Sequence, residues 1–85
     1  MTSDYRPIAC GAYDEIEVLA MRRTAVQVLS RDDKGQTLST GRLVDTAIHD
    51  GAEYLVLLDD GCRHEIRLDQ ILQIDDMSGQ MVWRR

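Results

Sequence analysis

The side chains of this chain that could do nucleophilic or metal chemistry are two cysteines and two histidines, Cys10, His49, Cys62 and His64. No two of them have the close CxxC or HxxxH spacing of a metal site, although Cys62 and His64 share one face of a predicted strand. A tetrahedral site would need two more ligands from distant parts of the chain. A catalytic thiol would need a base and a third group to orient it. The sequence therefore predicts reduced thiols in the core, with no metal, no cofactor and no enzymatic activity.

Three pairs of adjacent carboxylates, Asp32-Asp33, Asp59-Asp60 and Asp75-Asp76, lie in polar segments that are typical of turns. Asp is favoured in turns because its side chain hydrogen-bonds the local backbone. An exposed pair has no apolar wall that would raise a carboxyl pKa for acid–base catalysis. No glycine-rich phosphate-binding motif is present either. These carboxylates are expected to shape turns rather than to catalyse a reaction.

Composition narrows the class of partner. The chain has 85 residues, which predicts one domain over 1–85, and 15 acidic against 10 basic residues give a net charge of −5. Aromatic residues make up only 5%, so the basic, aromatic surface that binds nucleic acid is absent. No apolar run is long enough to span a membrane, and no secretory signal is visible, which indicates a cytoplasmic protein. The composition therefore disfavours nucleic acid as a direct partner and allows a basic protein.

The charge is unevenly distributed. Residues 1–20 hold four acids and one base, residues 21–44 five bases and two acids, and residues 45–76 nine acids and two bases. A basic block of net charge +3 thus separates two acidic ones. Such a pattern has two interpretations, ordinary solubility or recognition of a charged partner.

A helix is predicted over residues of about 11–22, after a segment that Pro7 keeps extended. The positions that repeat with helical spacing are Ala12, Ile16, Leu19, Ala20 and Arg23. Asp14 and Glu17 share another face, with Tyr13, Cys10 and Val18 near its borders. Together with Glu15, these acids either complement the positive end of the helix dipole and keep the helix surface solvated, or form a recognition face.

Strands are predicted from residue 24 to about residue 84, because the apolar period changes to two. They cover 24–30, 38–48, 53–58, 62–68, and a last strand shared by 72–75 and 80–83. The even-numbered residues from Leu38 to Ile48 alternate along the second strand, and Gly41 predicts a bulge or bend there. One N-terminal helix on five bent antiparallel strands predicts a mostly β, Sm-like small barrel, with an OB-like barrel as the alternative.

The four aromatic residues have different expected roles. Tyr54 is expected in the core, and Trp83 is expected to pack rather than to lie in solvent. Tyr13 is expected to be partly exposed beside Asp14 and Glu17, where an aromatic ring could face an arginine-rich partner.

Two stretches of the chain resemble the Rof family, the small bacterial inhibitors of Rho-dependent transcription termination. The opening stretch is Tyr5-x-Pro7-Ile8-x-Cys10-x-x-Tyr13-Asp14-x-Ile16-Glu17. The strand region is Glu53-Tyr54-Leu55-Val56 followed by Glu65-Ile66-Arg67-Leu68-Asp69-x-Ile71. The resemblance covers about residues 5–75, and the tail 77–85 has no counterpart in it.

The resemblance implies a Sm-like fold and direct binding to the Rho hexamer at its N-terminal primary RNA-binding region, which keeps transcript RNA out. It implies no catalysis and no cofactor. Carried over to this sequence, the partner-binding residues are Tyr13, Asp14 and Glu17, then Glu15, on a protein that is monomeric when free. The alternative is a Sm-like RNA-binding regulator that uses the basic block 21–44.

Overall fold

The computed structural model describes residues 8–85, so the segment predicted to be extended around Pro7 lies outside the described residues. The described elements are α1 (Cys10–Met21), β1 (Ala25–Asp32), β2 (Gly35–His49), β3 (Ala52–Asp59), β4 (Cys62–Arg67), a single 3₁₀ turn (Leu68–Gln70), β5 (Ile71–Asp76) and β6 (Met81–Arg84). A mostly β chain with one helix is confirmed. The helix begins and ends one residue before the predicted 11–22.

The prediction of a closed five-stranded barrel is wrong in both strand number and closure. The described strands form one antiparallel sheet of six, in the order β4-β3-β2-β1-β5-β6, whose edges β4 and β6 do not pair. The sixth strand arises because residues 76–79 reverse the chain. The N–H of Gly79 donates to the carbonyl oxygen of Asp76 at 3.0 Å, and the N–H of Asp76 donates to the carbonyl oxygen of Gln80 at 2.8 Å. The two pieces assigned to one last strand therefore pair as a hairpin.

A bulge interrupts the predicted alternation of β2. Leu43 pairs with Leu57, but Asp45 pairs with Val56, so Val44 is an extra residue on β2. A bulge shifts which side chains face inward. Leu43, which is odd-numbered and precedes the bulge, is in the core, whereas Leu38 and Ile48, at the two ends of the predicted even-numbered face, are exposed.

Gly41 lies two residues before Leu43 and is not the bulge itself. Its φ is 155°, and a Cβ at this position would lie 2.9 Å from the carbonyl oxygen of Leu58 on β3. Glycine is required here because two backbones approach too closely for a side chain.

The core lies between α1 and the sheet and contains residues from the helix and from β1, β2, β3, β5 and β6. Its buried members are Ile16, Ala20, Val26, Val28, Leu43, Leu55, Leu57, Leu68, Ile71, Ile74 and Trp83. The predicted packing of Trp83 is confirmed, since only 3% of it is exposed. This core holds the helix on the sheet and so decides which helix face reaches solvent.

Two expectations about the core are corrected. Cys10 and Cys62 are free, as expected, but both are exposed rather than buried. They lie at the first residues of α1 and of the edge strand β4, where neighbouring elements cover little surface. Tyr54 is half-buried, and its ring stacks on His49 instead of joining the core.

Candidate partner-binding face of the helix

Two side-chain hydrogen bonds fix the rotation of α1 on the sheet. Nε1 of Trp83 donates to the carbonyl oxygen of Ala12 at 2.9 Å, and the hydroxyl of Tyr13 donates to Oγ1 of Thr46 at 3.2 Å. Ile16 is fully buried on the same side of the helix. The opposite side of α1 therefore faces away from the sheet.

This opposite side is the outer helix face, which consists of Cys10, Asp14, Glu17, Val18 and Met21. At about 100° per residue, the five positions fall within an arc of about 100°, and all five residues are exposed. The structure thus brings the predicted pair Asp14 and Glu17 together on one surface.

The other two predicted partner residues lie at the borders of the outer helix face. Glu15 is exposed at one border, and Tyr13 is half-buried at the other. Tyr13 packs against the core while its hydroxyl binds Thr46, so only part of its ring can reach a partner.

The acids of α1 do not complement the helix dipole. The helix begins at Cys10 and its first turn holds no acidic residue, so Asp14 and Glu17 lie beyond the turn where the dipole acts. Neither carboxylate has a hydrogen bond or ion pair with another residue in 8–85. The interpretation of these acids as dipole partners is therefore wrong, and both carboxylates are exposed to solvent.

A shallow groove continues the outer helix face onto β2. It is lined by Glu17, Ala20, Met21, Val44, Asp45 and Thr46. Oδ1 of Asp45 accepts a hydrogen bond from the N–H of Thr46 at 2.8 Å, which holds the carboxylate beside the groove. Asp45 could not be recognised from the sequence pattern, because its position depends on the bulge at Val44, which the alternation of β2 does not reveal.

Two arginines end the helix next to this acidic surface. The N–H groups of Arg23 and Thr24 donate to the carbonyls of Ala20 and Leu19, the Schellman pattern of a helix C-terminus. Arg23 occupies the left-handed position of this motif, with φ of 50°, where glycine is usual. Nη1 of Arg42 donates to the carbonyl of Arg23 at 2.9 Å, so three arginines, Arg22 among them, gather at this end.

A comparison with protein-family models decides the family. The model described as a modulator of Rho-dependent transcription termination (ROF) matches residues 7–81 of the 85-residue chain. The chain belongs to the ROF family. The match includes α1, β1 to β5 and the first residue of β6. At its C-terminal end it extends to residue 81, beyond the resemblance seen in the sequence, which ends at about residue 75. A comparison with curated protein sequences gave no match.

The ROF family modulates Rho-dependent transcription termination, and it is not a known enzyme family. Across residues 8–85 no three His, Cys, Asp or Glu side chains are grouped closely enough to hold a metal ion. Within the same range no helix is long and apolar enough to cross a membrane.

A second charged region of this ROF-family chain, here called the sheet cluster, consists of His49, Asp50, Tyr54, Arg63 and Glu65. The imidazole nitrogens of His49 lie 2.6 Å from Oε1 of Glu65 and 3.2 Å from Oδ2 of Asp50. Nη2 of Arg63 donates to Oε2 of Glu65 at 2.8 Å. The Tyr54 ring stacks on the imidazole, with centroids 4.2 Å apart and planes 10° from parallel.

These contacts shift two pKa values in opposite directions. The hydrogen bond to Glu65, followed by that to Asp50, raises the pKa of His49 above its ordinary 6.5. The hydrogen bond from Arg63, followed by that from His49, lowers the pKa of Glu65 below its ordinary 4.5. Both shifts favour the charged forms, so each of the two groups stabilises the charged form of the other.

Proposed function

We propose that this chain modulates termination by binding Rho directly through the outer helix face, and that it thereby keeps transcript RNA from the primary RNA-binding region of Rho. The observation that carries the proposal is the pair Asp14 and Glu17, which is exposed in mid-helix and unpaired within residues 8–85. Carboxylates that do not stabilise the fold are available to a partner.

Charge complementarity supports Rho as that partner. A surface that binds the RNA backbone must be electropositive, because neutralised phosphates supply much of the affinity. An acidic face is attracted to such a surface, which speeds encounter and penalises partners of the same sign. The half-buried ring of Tyr13 adds a rigid aromatic contact at the border of the face. We expect the free protein to be a cytoplasmic monomer that does not bind nucleic acid itself.

Charge reversal on the outer helix face tests the proposal. We expect Asp14→Arg and Glu17→Arg each to weaken binding to purified Rho by about 100-fold or more, because like charges then meet across the interface. The matched control is Asp33→Arg, which makes the same charge change at an exposed site in the β1–β2 turn. The readouts are Rho binding and an in vitro termination assay. Wild-type binding by both helix variants would exclude this face.

The two exposed cysteines locate the interface without any substitution. Cys10 lies on the outer helix face, whereas Cys62 lies on the edge strand β4. We expect Rho to slow alkylation of Cys10 and to leave Cys62 reactive, as measured by mass spectrometry. Protection of Cys62 alone would place the interface on β4 instead.

RNA binding is the second candidate function, and the gathering of Arg22, Arg23 and Arg42 at the end of α1 is the observation that favours it. A gel-shift assay with oligo-C and oligo-U at moderate salt discriminates between the two candidates. Tight RNA binding in the absence of Rho would favour this candidate, and loss of that binding in Arg42→Ala would locate it.

A further inference from the structure

The outer helix face is not uniformly acidic. Val18 is 43% exposed and Met21 is 83% exposed. Around the helix, Met21 lies between Asp14 and Glu17, and Val18 lies beside Asp14. A soluble helix ordinarily presents polar residues on its solvent face. An apolar pair at helical spacing within an acidic surface is the composition of an interface, where apolar contacts are surrounded by polar ones.

We infer that Val18 and Met21 are the apolar anchor of the Rho-binding face, and that Met21 and the adjoining groove receive the side chain of an arginine or lysine of Rho. This inference rests on the proposed function and adds to it the chemistry of the contact. It assigns slow dissociation mainly to the apolar residues, whereas the carboxylates attract Rho at a distance and pair with the cation of the bound side chain.

The lining of the groove favours a long basic side chain over other occupants. Its apolar part is formed by Ala20, Met21 and Val44, and Glu17 and Asp45 add two carboxylates to the same lining. Arginine and lysine combine an aliphatic stem with a cationic end, so the stem can cover the apolar part while the cation meets a carboxylate. A purely apolar side chain would desolvate the carboxylates without pairing them, and a nucleotide phosphate would be repelled by them.

The two parts of the face are expected to affect binding kinetics differently. Long-range charge attraction speeds association and is screened by salt. Desolvated apolar contacts act after encounter and therefore slow dissociation. The association rate therefore reports mainly on the carboxylates, and the dissociation rate mainly on the apolar residues.

The test uses near-isosteric substitutions that keep the helix intact, Val18→Thr and Met21→Gln. Binding of each full-length variant to immobilised Rho is followed at several salt concentrations. We expect Met21→Gln to raise the dissociation rate by about tenfold and Val18→Thr by about threefold, with association rate and salt dependence unchanged. Glu17→Gln is the complementary variant, and it should lower the association rate and flatten the salt dependence.

Met77→Gln is the matched control, because Met77 is 58% exposed but lies in the β5–β6 turn. It should bind as the wild type does, and circular dichroism melting checks that every variant folds. Wild-type dissociation rates for both Val18→Thr and Met21→Gln would overturn the inference and leave the proposed function standing. Failure of the wild-type protein to bind Rho would overturn both.

Discussion

The outer helix face and the sheet cluster both place carboxylates at the surface, but only one of them pairs its charges. Glu65 in the sheet cluster accepts a hydrogen bond from Arg63, and its Oε1 lies 2.6 Å from Nε2 of His49. Glu17 on the helix has no partner within residues 8–85. The difference separates charges that contribute to the fold from charges that remain available for recognition.

Local geometry explains why the two regions differ. Glu65 lies two residues from Arg63 on the same face of β4, and the chain reversal at Asp50 and Gly51 brings His49 near it. On the helix, the positions that could pair with Asp14 and Glu17 one turn onward hold Val18 and Met21. Asp14 and Glu17 are themselves one turn apart, which costs about 0.2–0.5 kcal/mol by like-charge repulsion. The helix is therefore slightly less stable than a neutral version would be.

The largest stability effect is expected where a carboxylate is paired and nearly buried. Asp69 is 13% exposed and accepts two hydrogen bonds from Arg67, at 3.1 and 2.8 Å. We expect Asp69→Ala to lower the free energy of unfolding by about 2 kcal/mol, because two hydrogen bonds from a partly buried guanidinium to a carboxylate are lost. Urea denaturation measures the change.

Asp14→Ala is the matched variant for Asp69→Ala. It should leave the free energy of unfolding unchanged or slightly higher, while weakening Rho binding. If Asp14→Ala destabilised the protein as much as Asp69→Ala does, the contrast between paired and unpaired carboxylates would not hold.

The sheet cluster should also make stability depend on pH. Because the pKa of His49 is raised in the folded state, its contribution to the free energy of unfolding is complete below about pH 6.5. That contribution is lost as the pH rises through the folded-state pKa. Because the pKa of Glu65 is lowered in the folded state, its contribution to the free energy of unfolding is present above pH 4.5 and is lost as the pH falls through the folded-state pKa. NMR titration of the His49 ring should place its pKa above 6.5 in the wild type.

Two variants rank the causes of that shift. Glu65→Gln should bring the His49 pKa down further than Asp50→Asn does, since the bond to Glu65 is the larger cause. An equal response to both variants, or no response, would mean that the cluster does not hold the imidazole as described. Rho binding is expected to stay at the wild-type level in both.

The smallest effect is expected at the end of α1. Arg23 has a left-handed backbone with φ of 50°, a conformation that costs a non-glycine residue about 1–2 kcal/mol. Glycine avoids this cost but loses more chain entropy on folding, so Arg23→Gly should raise the free energy of unfolding by about 0.5 kcal/mol. Thermal melting detects the change, and a drop in stability would show that the arginine side chain supports the helix end.

The helix and most strands were predictable, because periods of 3.6 and 2 are local properties of the sequence. The outer helix face followed from the same periodicity, which is why Asp14 and Glu17 were correctly placed together. The bulge at Val44 was not predictable, since it depends on how β2 meets β3, and Asp45 was missed with it. The strand number was wrong because residues 76–79 form a hairpin turn and do not merely interrupt one last strand. The closure was wrong because pairing between distant strands is decided by tertiary packing rather than by local pattern.

The two hydrogen bonds that fix α1, from Trp83 to Ala12 and from Tyr13 to Thr46, have a consequence for the entropy of binding. The helix cannot roll about its axis without breaking both of them. If Rho binds the outer helix face as proposed, it meets a helix backbone that is already ordered, and the loss of freedom falls mainly on side chains such as Met21. Each immobilised side chain costs about 0.5–1.5 kcal/mol, which is small beside the cost of ordering a flexible peptide with the same residues.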